Sequence, residues 1–255
     1  ETEFVNGVAA MSASGQYGPA KICAGIVGHA DLRQGARARD VLEAHIRAGG
    51  NRFRGIRHIT AWDADPTLMN PAYAPPPGLL ADATFRAGFA TLAPLNLSFD
   101  AWLYHPQIDE LTALAQAFPA TQICLNHVGG PLGIGVYANK RDAVFAAWSK
   151  SIRALARCPN VVVKLGGMAM RINGFDFHGK ADPPASETLA AACKGVTAVF
   201  ALSEGPKIPV HDGNLARAAK AAGVKRLVKL SAATAANHPE QLIGSWHLAG
   251  ERAIE

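Results

Sequence analysis

The chain has 255 residues, 49% hydrophobic and 18% charged, with a formal net charge of +5. That composition excludes a disordered or fibrous chain and fits one large α/β domain or two small ones. The basic residues are scattered, so a small anionic substrate is the expected partner and a nucleic acid is not.

No stretch reaches about 18 consecutive apolar residues, so no membrane partner is expected. The first residues lack the basic-then-apolar layout of a signal peptide. Cys23, Cys124, Cys158 and Cys193 form no C-x-x-C pair, which points to free thiols in a reducing, cytoplasmic setting. The chain opens without methionine in a helical pattern, as a fragment or a processed product would.

Short apolar runs bounded by turn residues predict strands over Lys21–Gly28, Phe53–His58, Ser98–Tyr104, Gln122–His127, Val161–Gly166, Val196–Leu202 and Lys225–Ser231. Helical spacing predicts helices over Asp40–Ala48, Leu79–Leu92, Pro106–Phe118, Arg141–Arg157, Leu215–Ala222 and Gln241–Ile254. In Arg141–Arg157, Val144, Phe145, Trp148, Ile152 and Leu155 fall on one face. Strands alternating with helices imply a parallel sheet with helices packed on it. Two long irregular segments, Thr60–Gly78 and Asn173–Ser186, combine aromatics with polar groups and are expected to lie over a site mouth.

In parallel β/α architectures, catalytic and binding groups collect at the carboxyl ends of strands. His127 ends its apolar run just before Gly-Gly-Pro131 and is the leading candidate for ligand or acid/base. Phe53–His58 ends in Arg57 and His58, of which strand alternation lets only one point inward. Arg57 is preferred, as a bidentate clamp for a substrate carboxylate. Tyr104 could donate a hydrogen bond to a substrate carbonyl, and His105 could line the pocket or merely precede the Pro106 helix. Lys164 is unusual in an apolar strand and calls for a carboxylate partner. His29 and Asp31 have the spacing of a ligand pair but fall in a loop.

Four segments together resemble the amidohydrolase-related metal-dependent hydrolases of TIM-barrel fold. They are Cys23–Leu32, Phe53–His58, Leu125–Pro131 and Asn160–Gly167, and the resemblance spans Glu1 to about Ala190. It implies hydrolysis of a C–O or C–N bond in a small carboxylated substrate such as a lactone. Some members use a divalent metal such as zinc, and some lactonases of the group use none. It maps His127 onto the family's mid-barrel histidine, a metal ligand, and Arg57 onto a substrate-binding position. The family's first-strand His-x-His pair and its last-strand aspartate have no counterpart in this sequence. A zinc site needs three or four protein ligands. A metal hydrolase, a metal-free lactonase and a non-catalytic remnant therefore all stand as readings.

The tail, Gly195–Phe200, Asn214–Ser231 and His247–Glu255, resembles the middle of an NmrA-like NAD(P)-binding Rossmann protein. Such a protein would bind NADPH near Ser203–Pro206 and Ser231, as a redox sensor or oxidoreductase. The G-x-G-x-x-G fingerprint is absent, so NAD(P) is not expected. The expected fold is thus α/β: an incomplete TIM-like (β/α) barrel over 1–190, then a Rossmann-like βαβα segment over 191–255, joined near Ala190–Gly195. Seven strands could close as a pseudo-barrel. Open strand edges would favour a homo-oligomer.

Overall fold

A computed structural model describes residues 1–16, 18, 21–168, 170–175, 186–201, 203, 206–229, 235 and 240–255. The chain divides into two compact units, Glu1–Phe175 and Asp176–Glu255.

In the first unit, helix α1 (Thr2–Ala13) precedes four βα repeats and a fifth strand, all built on one parallel sheet. The strands are β1 (Ile26–Gly28), β2 (Phe53–Ile59), β3 (Ser98–Trp102), β4 (Ile123–Leu125) and β5 (Val161–Val163), hydrogen-bonded in sequence order. Helices α2 (Ala38–Ala48), α3 (Ala83–Phe89), α4 (Ile108–Ala117) and α5 (Arg141–Leu155) connect them. Consecutive parallel strands with helical crossovers are the arrangement the alternating pattern demands.

Strand pleating divides the sheet into two faces. Ile56, Phe99, Ala101, Ile123 and Leu125 are buried on the helix side, against Phe85 and Phe89 of α3 and Leu111 and Leu114 of α4. The opposite face carries the row Arg57, Asp100, Cys124 and Val162, one residue from each of β2 to β5 in direct register. That row is polar where the other is apolar.

Several expected elements are shorter than their apolar runs. The first strand begins at Ile26 rather than Lys21, because Cys23 turns the backbone with φ 55°. Residues 127–130 all have positive φ, so β4 ends at Leu125 and His127 lies in a turn beyond it. Lys164 follows β5 rather than lying inside it. The Leu79–Leu92 helix is broken at Asp82, whose carboxylate accepts from the Phe85 N–H at 2.7 Å and starts α3 afresh. Phe145 does not join the buried face of α5 but is 61% exposed, whereas Val144 and Leu155 are buried.

The second unit contains α6 (Ser186–Cys193), β6 (Ala198–Ala201), α7 (Ile208–Ala221), β7 (Arg226–Lys229) and α8 (Leu242–Ile254). Strands β6 and β7 pair in parallel, with α7 as the crossover and α6 and α8 packed on it. The seven strands do not form one pseudo-barrel sheet: among the described residues they form one sheet of five and one of two. Helix α6 was not legible in the sequence. The parallel βαβ unit agrees with the expected order of elements, but it does not establish a Rossmann domain. Of the expected NADPH contacts, residues 204, 205 and 231 lie outside the described residues. No described helix is long and apolar enough to cross a membrane.

Candidate functional site

The polar row holds the densest set of chemical groups. Asp100 is 5% exposed, and its carboxylate accepts from the Lys164 ammonium and, at 3.2 Å, from the Asn126 amide. Lys164 thus has the carboxylate partner its place in the sequence calls for. Its own side chain is half exposed, so the pair opens to water on one side. Arg57 stands directly across from Asp100 in the β2–β3 register. The Arg57 Nε is buried and has no hydrogen-bond partner. A buried, unsatisfied guanidinium nitrogen is costly and marks a place where an acceptor fits. Cys124, between Asp100 and Asn126, is a thiol pushed up by burial and by the Asp100 charge.

His127 lies just past this row. Its imidazole is held below the ordinary histidine range, first by burial and then by the positive charges of Arg57 and Lys164. The ring packs edge-on against Trp102 at 4.9 Å. Its Nδ1 is buried without a hydrogen-bond partner of good geometry. Gly167 lies against the ring so closely that a Cβ there would come within 2.4 Å of Nδ1. The second glycine of Gly166-Gly167 therefore makes room for the imidazole.

The turn carrying His127 is strained. His127 and Val128 both have φ 51°, an outlying conformation for a β-branched residue. Such a conformation costs roughly 1–3 kcal/mol and persists only where surrounding contacts enforce it. Here the Trp148 indole N–H donates to the Val128 carbonyl at 2.6 Å. The Val128 N–H donates to the Lys164 carbonyl, and the His105 N–H to the Gly130 carbonyl.

Tyr104 is buried and its hydroxyl donates to the Leu68 carbonyl, so it ties down the 60–78 segment instead of facing a substrate. His105 is buried, accepts from the Leu132 N–H at 3.3 Å and packs on Tyr137. His58 points to the helix side and meets Phe85 edge-on at 5.2 Å, as alternation with Arg57 requires. Asp31 caps a short turn and pairs with Arg33, while the His29 Nδ1 lies 3.1 Å from the Arg57 backbone carbonyl oxygen. A cavity of about 590 Å³ covers the carboxyl ends of β1 and β2, with His29, Arg33, Arg57, His58 and Tyr73 in its wall. Residues 72–75 of the long 60–78 segment line it, as expected of a loop over a site. The five sequence candidates do not line one cavity: Arg57 opens into this one, and His127 is linked to it through the Arg57 charge.

Sequence reasoning missed Asp100 and Asn126. The signal for Asp100 was present, as a lone carboxylate at an alternate position in the apolar run Ser98–Trp102. Asp63, in the 60–78 segment, accepts from the Tyr137 hydroxyl at 2.8 Å, and burial together with this carboxylate pushes that phenol up to about 12.

A divalent metal fits these residues poorly. Among the described residues no three of His, Cys, Asp and Glu converge as ligands. Near His127 the charges are cationic, and Asp100 is already engaged by Lys164.

Burial holds both His58 and His105 down to about 4, from an ordinary value of 6.5. Both fold neutral, while the unfolded chain takes up their protons below about 6.5. Stability is therefore expected to fall as pH drops from 6.5 to 4, by up to about 3 kcal/mol per histidine. Urea midpoints measured across that range check this, and an unchanged midpoint contradicts it.

Residues 20–202 match the amidohydrolase family. A protein of Sinorhizobium fredii described as uncharacterized protein y4mH is 33% identical over 181 residues, which is 69% of this chain and 54% of that protein. An L-fucono-1,5-lactonase of Burkholderia multivorans is 29% identical over 145 residues, 57% of this chain and 44% of the lactonase. The chain thus spans about half the length of these curated relatives. The crystal structure of an amidohydrolase from Burkholderia multivorans with bound zinc superposes with a TM-score of 0.52 at 22% identity. That superposition covers 99% of this chain and 74% of the other, and it supports the fold alone. Five in-order parallel strands joined by helices, a polar row along one sheet face and a family match across most of the chain agree: this chain belongs to the amidohydrolase family.

Proposed function

We propose that the chain hydrolyses a C–O bond in a small carboxylated substrate, with a lactone as the favoured class. The observation that carries this reading is the gathering of a neutral-favouring His127, an Arg57 Nε without a partner and the Lys164–Asp100 pair along one face of the parallel sheet. Arg57 anchors the substrate carboxylate through the nitrogen that otherwise lacks a partner. His127, kept neutral, takes a proton from the attacking water as its oxygen bonds to the lactone carbonyl carbon. The ring C–O bond then breaks, and the imidazolium returns the proton to the departing alkoxide. The Lys164 ammonium stabilises the oxyanion formed between these steps. Tyr104 and His105 hold the surrounding loops rather than the substrate. No step routes through a divalent metal, which the described residues fit poorly. For Asp176–Glu255 no nucleotide site is proposed, because the glycine fingerprint that would cradle a pyrophosphate is missing.

The anchor role is tested by Arg57→Gln. Lactones bearing a free carboxylate should lose kcat/KM about 10–100-fold, mostly through KM, and uncharged lactones should change little. An equal loss for both substrate types rejects Arg57 as the carboxylate anchor.

A further inference from the structure

A second cavity, of about 470 Å³, has Val128 of the His127 turn in its wall and is not used by the proposed hydrolysis. Helix α5 supplies Val144, Phe145 and Trp148, and the facing wall comes from Leu132, Met168 and Phe175. Its size is that of an ordinary small-molecule site, and its lining is mainly apolar and aromatic. The walls are held from behind. Trp148 is fixed by its bond to the Val128 carbonyl, and the buried Asn173 amide donates to the Gly167 and Met168 carbonyls at 3.1 and 2.8 Å. The exposed Phe145 is explained by this cavity: it is a wall residue, not a misplaced core residue.

One charge belongs to the lining. Arg141, at the start of α5, places its guanidinium 4.5 Å from the centre of the Phe175 ring. No carboxylate among the described residues forms an ion pair with it. Stacking on an aromatic ring leaves the in-plane N–H groups of a guanidinium free to bind an acceptor. An apolar cavity with one such group at its edge is matched by a ligand with an apolar body and a single carboxylate.

We infer that this cavity binds an aromatic monocarboxylate, with its rings between Phe145, Trp148 and Met168 and its carboxylate on Arg141. The inference does not rest on the proposed hydrolysis, because it uses none of the same residues.

The test is binding of 2-naphthoate to the full chain, followed by calorimetry and by NMR of the tryptophan indole N–H signals. Two comparison compounds are used: 2-naphthalenemethanol, which keeps the rings without the charge, and acetate, which keeps the charge without the rings. The naphthoate should bind at least about tenfold more tightly than either and should shift the Trp148 signal. Arg141→Gln, at an exposed position, should remove that advantage, and Arg57→Gln should leave it intact. Equal binding of naphthoate and the alcohol overturns the inference. So does loss of naphthoate binding in Arg57→Gln rather than Arg141→Gln, which would place the carboxylate in the other cavity.

Discussion

Replacing His127 by alanine is expected to lower lactone hydrolysis by at least a hundredfold, with far less change in KM than in kcat. A positioned acid/base contributes typically 10²–10⁴-fold, and the His127 ring feels the charges of both Arg57 and Lys164. The strained turn makes the variant informative, because alanine at a φ of 51° is no better suited to it than histidine. Folding is therefore expected to survive with a modest loss, and the activity change can be assigned to the ring. The measurement is steady-state hydrolysis of a lactone panel by wild type and variant, with circular dichroism as a check on folding. Turnover within threefold of wild type would remove His127 from the mechanism.

Replacing Phe99 by alanine is expected to destabilise the first unit by about 3–5 kcal/mol, the usual cost of deleting a buried phenyl ring. Phe99 is fully buried in the middle of β3, and it meets Phe89 at 5.0 Å and Phe85 at 6.2 Å, both edge-on. Its neighbours are held by the sheet on one side and by α3 on the other, so little collapse into the vacated space is available. Urea unfolding should show the midpoint lowered with the slope unchanged. A loss below about 1 kcal/mol would mean that β3 is not the centre of the core.

The alternating strand and helix pattern was sufficient to foresee a parallel α/β sheet, because buried parallel strands read as apolar runs whatever their exact ends. Their ends were less legible. Apolar runs such as Gln122–His127 continue past the last ladder bond, and it is the backbone φ of residues 127–130 that stops the strand. Lys164 was legible because a lysine in an apolar run calls for a carboxylate, but Asp100, its partner, could be paired with it only across the sheet. Tyr104 and His105 were misleading for a local reason. Both follow a strand end, but Tyr104 donates its hydroxyl to the Leu68 carbonyl and His105 accepts from the Leu132 N–H, so both are spent on holding loops. Phe145 misled through periodicity: helical spacing places it with Val144 and Trp148 but does not distinguish a core from the wall of a cavity.

The mechanism requires a His127 ring held neutral by burial and by the charges of Arg57 and Lys164. NMR titration of the histidine side chains, with His127 assigned from the His127→Ala spectrum, measures this directly. The account predicts that His127 titrates below the ordinary value of 6.5 and moves upward when either Arg57→Gln or Lys164→Met removes a neighbouring charge. A ring that titrates at or above 6.5, or that does not respond to either substitution, would contradict it.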